Sequence, residues 1–270
     1  MWCAVCGAPS AASKGASGMT QRALFGSVAL LATVAVLFWA PVASPSTTPC
    51  RGVLGPVAVA NVVVPGHASC QMNGTQVSGD VVVGTGGVLR AEINTAIAGD
   101  VVVSRQATFS ISKAAIAGDV GCRRCDWLGI FETDVGGSVR AIGAGEAVFV
   151  EISSVVGDLE IVGGAADAPI TITRGSVFGD LFLSGNGGSL EMTREEVGGD
   201  ARIVDNVSPV GFSLQENIVG RDLLFSRNSG PSALNLNSVG ESLGCFENDP
   251  SPTGSGNVAN ELTGQCEGLG

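Results

Sequence analysis

Nine times between Val77 and Glu241 the chain repeats a four-residue corner in which an apolar residue is followed by glycine and then by a short polar or charged residue. Val77-Ser78-Gly79-Asp80, Ile97-Ala98-Gly99-Asp100 and Ile116-Ala117-Gly118-Asp119 open the series. Val135-Gly136-Gly137-Ser138, Val155-Val156-Gly157-Asp158, Val177-Phe178-Gly179-Asp180 and Val197-Gly198-Gly199-Asp200 continue it. Ile218-Val219-Gly220-Arg221 and Ser238-Val239-Gly240-Glu241 close it in degenerate form. Successive corner glycines (Gly79, Gly99, Gly118, Gly137, Gly157, Gly179, Gly199, Gly220, Gly240) lie 20, 19, 19, 20, 22, 20, 21 and 20 residues apart. A period this steady identifies a stacked-repeat architecture.

The residues between corners decide which one. After each corner comes period-two alternation, as in Val81/Val83, Val101/Val103, Leu159/Ile161 and Leu181/Leu183. A second alternating pair precedes each glycine: Phe109/Ile111, Leu128/Ile130, Val148/Val150, Ile170/Ile172, Leu190/Met192. Alternation means strands with one face turned inward. No repeat has the helical stretch that ankyrin or leucine-rich units require. The expected fold is all-β: a single-stranded parallel β-helix, or β-solenoid, of about 20 residues per turn. It should span 57–245, after a linker at 44–56 and before a C-terminal cap segment at 246–270. Nine or ten turns rising about 4.8 Å each would make a rod of about 45 Å.

Turning sharply between two sheets calls for positive φ or close backbone approach, and glycine supplies both. The acidic residue after it can hydrogen-bond turn backbone. Stacking would align Asp80, Asp100, Asp119, Asp158, Asp180, Asp200 and Glu241 in one acidic column, interrupted by Ser138 and Arg221. A column of carboxylates offers oxygen ligands to Ca²⁺. Turn capping is the simpler role, because the Gly-Gly-x-Gly-x-Asp nonapeptide of calcium-binding solenoids is missing.

Residues 1–43 read as a signal peptide or membrane anchor built on one N-terminal hydrophobic helix. Arg22 precedes the uncharged run Ala23–Ala40, and small residues follow in Val42-Ala43-Ser44. Met19 would make a natural start, and the run is near the length of a membrane span. A membrane contact is expected only through this segment. Beyond Ala43 the chain keeps 12 of its 14 basic residues and all 25 acidic ones, a net −13. That balance excludes nucleic acid as partner, since phosphates demand Lys and Arg.

Asn61-Val62-Val63-Val64-Pro65-Gly66-His67-Ala68-Ser69-Cys70 leads into the first corner, and Ser242-Leu243-Gly244-Cys245 followed by Thr263-Gly264-Gln265-Cys266 closes the last. With the central Val-x-Gly-Asp repeat, these segments resemble a group of exported bacterial β-solenoid proteins of mostly uncharacterised function. They are similar in a looser way to the polymer-forming bactofilins. The resemblance covers roughly 57–266 and implies the fold and export, with no catalytic residue to carry over. Bactofilins differ in being typically cytoplasmic, free of disulfides and shorter in repeat.

Six cysteines follow the leader, an even number that suits an oxidising compartment. Cys50 and Cys70 are 20 residues apart and Cys245 and Cys266 are 21 apart, each close to one turn. Stacked turns bring such pairs within disulfide range, predicting Cys50–Cys70 and Cys245–Cys266 bridges at the fraying ends. Cys122-Arg123-Arg124-Cys125 reads as a local structural disulfide, with a redox role as the alternative.

Other chemistry is thin. His67 is the only histidine and lies in a Pro-Gly turn, so no triad or His-rich metal site forms around it. Asp126, Glu132, Asp134 and Arg140 are the residues that a carbohydrate-active β-helix enzyme, a lyase or hydrolase, would gather in a cleft. No cofactor is implied. The function expected is an exported, non-enzymatic structural, scaffold or adhesive protein of a cell envelope or surface. Self-association and a surface polysaccharide are the partner classes the sequence leaves open.

Overall fold

The computed structural model describes residues 46–270. The hydrophobic segment, with the helix and targeting role expected of it, lies outside the described residues. Among the described residues no helix is long and apolar enough to cross a membrane.

Each turn contributes three short strands to three sheets of 12, 11 and 10 strands, and every pairing is parallel. Sheet A holds the strands that follow the corners, such as Val81–Val83 and Val101–Val103. Sheet B holds the second alternating pair, as in Thr108–Ser112 and Trp127–Phe131. Sheet C holds two-residue strands that carry the first residue of the corner motif, such as Ala96–Ile97 and Ala115–Ile116. The alternation expected from the sequence is the burial pattern observed. Val81, Val83, Phe109, Ile111, Leu128, Ile130, Leu181 and Leu183 are fully buried, and Ile97, Ile116 and Val177 close the third side. Apolar columns along one continuous core supply the driving force, since each fully buried Val, Leu, Ile or Phe contributes about 1.5–3 kcal/mol.

The rod is longer at both ends than the repeats indicate. Thr47–Pro49 pairs with Asn61–Val64 and Gly52–Leu54 pairs with Ser69–Asn73, so the stretch expected as a linker forms the first turn. Thr253–Ser255 and Glu261–Gly264 continue sheets B and A beyond residue 245. A sheet of 12 strands at about 4.8 Å per step spans roughly 50 Å. Leu269 folds under the last turn, where its carbonyl accepts a 2.8 Å hydrogen bond from Asn257 Nδ2.

The three corners differ in chemistry. The A-to-B and B-to-C corners place one or two residues at positive φ in almost every turn, and fourteen of those residues are not glycine, among them Arg124, Glu132, Ile152 and Arg194. A left-handed conformation costs about 1 kcal/mol or more for such residues. All but Glu247 donate their N–H to the next turn, as Arg124 N–H donates to Ile142 O at 2.7 Å. At the Gly-Asp corner the glycines do not have positive φ; close approach is what demands them. A Cβ on Gly99 would lie 2.6 Å from Gly79 C and 2.7 Å from Gly79 O.

Gly220 and Gly240 do not occupy this corner-glycine position. Val219 stacks on Val197 and Val239, and Leu223 stacks on Ala201 and Leu243. The last two copies therefore align as Val219-Gly220-Arg221-Asp222 and Val239-Gly240-Glu241-Ser242. Arg221 and Glu241 stand in the glycine place, and Asp222 and Ser242 take the acidic place. Matching by glycine shifted both copies by one residue.

Three disulfides join Cys50–Cys70, Cys122–Cys125 and Cys245–Cys266, with Cα separations of 5.5, 5.7 and 5.1 Å. All three lie at the A-to-B corner. The two long bridges are offset from the ladder, because Cys70 stacks on Gly52 and Cys245 on Gly264. They tie the end of a sheet A strand in one turn to the start of the following corner or strand in the next. A terminal turn has one neighbour and opens first. Cys245→Ser with Cys266→Ser should therefore speed amide exchange across residues 253–269 by tenfold or more, about 1.4 kcal/mol, while protection around Leu128 stays unchanged. Hydrogen exchange of parent and variant checks this; unchanged rates at the C-terminal turn would show that Leu269 and Asn257 hold it alone.

Candidate binding face

The acidic column is a hydrogen-bonded ladder. Asp80 Oδ1 accepts from Asp100 N–H at 2.9 Å, Asp100 Oδ1 from Asp119 N–H at 2.8 Å, and Asp119 Oδ1 from Ser138 N–H at 2.7 Å. Ser138 Oγ, Asp158 and Asp180 continue the series to Asp200 N–H. Asn61 begins it and Asp222, which accepts from Ser242 N–H at 3.0 Å, ends it. Each carboxylate thus caps the turn above its own. Arg202 (3.0 Å) and Arg221 (3.3 Å) both reach Asp200, relieving charge where the column is most buried. Among the described residues no group of three or more His, Cys, Asp or Glu side chains is placed to hold a metal ion.

Asp126, Glu132, Asp134 and Arg140 are not brought together. Asp126 sits at an A-to-B corner against Gly145, and Glu132 at a B-to-C corner, 3.7 Å from Lys113 Nζ. Asp134 is exposed on sheet C, and Arg140 is exposed on sheet A, 3.0 Å from Glu160. The cleft imagined for an enzyme cannot form from them, because three sides of the rod separate them. His67 is an A-to-B corner residue at positive φ.

Two further ladders lie inside the corners. Asn186, Asn206, Asn228, Asn248 and Gln265 are joined side chain to side chain, each Nδ2 donating to the next carbonyl oxygen at 3.0–3.2 Å. Asn217, Asn237 and Asn257 do the same at the B-to-C corner. Glu195 occupies the place before Asn217 in that column, above Gly175. Its Oε2 accepts from Gly175 N–H at 2.9 Å, but Oε1 is buried without a partner. Burial pushes its carboxyl up to about 7, with the Gly175 bond opposing weakly. These asparagines recur at spacings near 20 and carry a sequence signal that apolar alternation does not reveal.

The outer face of sheet B carries a cluster of aromatic rings. Trp127 and Phe131 point outward from one strand and Phe149 from the next, where Phe149 stacks in register on Gly129. The Trp127 and Phe149 centroids are 4.8 Å apart with planes at 32°, and those of Phe131 and Phe149 are 6.3 Å apart at 27°. Gly129 lies buried beneath, and a Cβ there would meet Phe131 Cε2 at 2.6 Å and Trp127 Nε1 at 2.8 Å. The missing side chain makes room for the three rings, which overlap as a half-buried platform with Phe149 inclined at 32° to Trp127 and 27° to Phe131.

Thr171, Glu191, Ser213 and Ala233 continue the same outward column. Beside them the corner between Val204 and Phe212 lengthens, folded back by Ser208 Oγ, which accepts from Gly211 N–H at 2.7 Å and donates to Gly211 O at 2.9 Å. Val210, Pro231 and Pro250 from successive lengthened corners wall a cleft of about 600 Å³ over Glu191 and Ser213. Val210 is 79% exposed. Platform and cleft together form a strip along the rod, apolar with interspersed hydroxyls, which is the usual composition of a binding surface.

Fold and face define a three-sided parallel β-solenoid whose corner aspartates and asparagines are bonded turn to turn. No family model matches the chain, and no curated protein or solved structure matches it.

Proposed function

We propose that this chain is an exported, non-catalytic structural or adhesive protein of a cell envelope or surface, acting as a rigid rod that adheres through sheet B. Three disulfides suit an oxidising, extracytoplasmic compartment, and the N-terminal segment would export or anchor the rod. The observation that carries the adhesive reading is the half-buried, outward-facing ring platform of Trp127, Phe131 and Phe149. Aromatic faces offer large contact area at low entropic cost, and their flat surfaces suit the C–H faces of sugar rings. The candidate acids of a glycosidase are dispersed over different sides of the rod, and only Glu191 lines the cleft; hydrolysis needs a carboxylate pair. The polymer-forming scaffold suggested by the bactofilin resemblance is the second reading, in which the rod itself assembles.

Incubating the disulfide-intact protein with a panel of insoluble and soluble polysaccharides tests the proposal. Retention without new reducing ends or unsaturated products is expected. Reproducible turnover that is lost in Glu191→Gln would overturn the non-catalytic reading. Electron microscopy of the same sample distinguishes single rods from filaments.

A further inference from the structure

Opposite charges pair across successive turns at five points of this rod: Lys113 with Glu132, Arg140 with Glu160, Arg194 with Glu216, Asp200 with Arg221 and Asp205 with Arg227. Arg105, Arg123 and Arg124 break that rule. They lie on adjacent turns of one A-to-B corner, where Gln106 N–H donates to Arg124 O at 2.8 Å, and together line a surface hollow of about 650 Å³ that opens on the outer face of sheet A, over Val102, Gly121 and Ile142. All three are exposed, and among the described residues none is within ion-pair distance of a carboxylate, although acidic residues outnumber basic ones 25 to 12. Like charges held near 5 Å apart repel by roughly 1 kcal/mol in water. A bound anion offsets that repulsion.

The hollow is also rigid. Arg123 and Arg124 are the two residues between the bridged Cys122 and Cys125, so a closed ring fixes both stems. Asp126, the nearest acid in the chain, packs over Gly145 on the following turn, on the side away from Arg105. Three residues beyond Arg124 stands Trp127, the first ring of the platform, at most about 10 Å along the chain. Arg90 stands in the same outward column as Ser110 and Gly129. Guanidinium groups take carboxylates and sulfates in paired hydrogen bonds. Screening confines the rod's net negative charge to within about 8–10 Å, so a local cationic hollow can act independently of it.

We propose that Arg105, Arg123 and Arg124 bind the carboxylate or sulfate groups of an acidic polysaccharide that passes round the A-to-B corner, so that its next sugar rings lie against Trp127 and Phe149 on sheet B. The proposal rests on the adhesive reading for its rings and on the arginine hollow for its charge selection.

Polygalacturonate and its methyl ester separate the two, because esterification removes charge and keeps the backbone. The full chain should bind polygalacturonate about tenfold or more tightly than the ester, with the difference shrinking as salt rises. Arg105→Gln with Arg123→Gln and Arg124→Gln should abolish that preference and leave binding of the ester unchanged. Gln is tolerated at this corner, since Gln106 already holds a φ of 56° beside the 52° of Arg124. Trp127→Ala should weaken both polymers alike. Loss of both polymers in Trp127→Ala alone, with the triple variant binding as the parent does, would overturn the arginine assignment and leave the adhesive face standing. Binding of neither polymer by the parent would overturn the adhesive reading and the proposal with it. Equally tight, arginine-dependent binding of polyglutamate or of inorganic sulfate would show that charge alone is read, and would overturn the polysaccharide as occupant. As a check on rigidity, Cys122→Ser with Cys125→Ser should lower the preference for the acid several-fold without changing ester binding; an unchanged preference would overturn the role of the ring.

Discussion

Replacing Gly118 by alanine should destabilise the rod by about 3 kcal/mol, the upper range for forcing extra atoms into a packed interior. The added Cβ would meet Asp100 Oδ1 and lie 2.6 Å from Gly99 O and 2.7 Å from Gly99 C. Backbone cannot yield there without lifting one turn off the next. Relief by moving the carboxylate would break the bond from Asp119 N–H to Asp100 Oδ1 at 2.8 Å. Gly163→Ala makes the matching control. Gly163 has a φ of +67° but open space around its Cβ position, so its cost is the left-handed one of about 1 kcal/mol. Urea midpoints of the two variants give the comparison. Equal losses would mean that conformation, and not close stacking, selects glycine at the Gly-Asp corner.

That contrast bears on what could be read from the sequence. Glycine at a fixed period revealed the turn, but not which of its two reasons applied. The same matching misplaced Gly220 and Gly240, because a glycine one position earlier preserved the period while Asp222 and Ser242 held the ladder positions, each donating its N–H to the aspartate one turn before. Apolar alternation found sheets A and B, whose strands have two inward residues each. Sheet C strands contribute one inward residue per turn, too few to show a period. The first turn, at Thr47–Leu54, was hidden for a related reason: it has only one neighbouring turn and few inward apolar residues. The disulfide pairs were legible because chain distance equals one turn, although their offset of two residues from the ladder was not. The ring platform depends on Gly129 lying flat beneath residues from two turns, and only the stacking register brings Phe149 over it. The dispersal of Asp126, Glu132, Asp134 and Arg140 needed the corners as well, since residues close in sequence leave a three-sided rod in different directions.

Glu195→Gln should be more stable than the parent above neutral pH and equal to it below about pH 4.5, the ordinary value of an exposed glutamate. Glu195 is 1% exposed, one oxygen has no partner, and its carboxyl is held at about 7 in the folded rod. The adjacent Arg194 is engaged elsewhere: it pairs with Glu216, whose carboxyl it holds low. Between the unfolded value of 4.5 and about 7 the folded chain keeps a proton that the unfolded chain has released. Stability contributed by this group therefore falls as pH rises through that window and levels off above it. At about 1.4 kcal/mol per pH unit the loss amounts to at most roughly 3 kcal/mol. Glutamine keeps an oxygen for Gly175 N–H and has no proton to lose, so the difference between variant and parent should open across the same window. Urea midpoints of both proteins from pH 4 to 9 measure it, and subtraction removes the contribution of the other carboxylates. A difference that is constant over that range would show that Oε1 finds solvent or a cation, and that the break in the asparagine column at Gly175 has no electrostatic consequence.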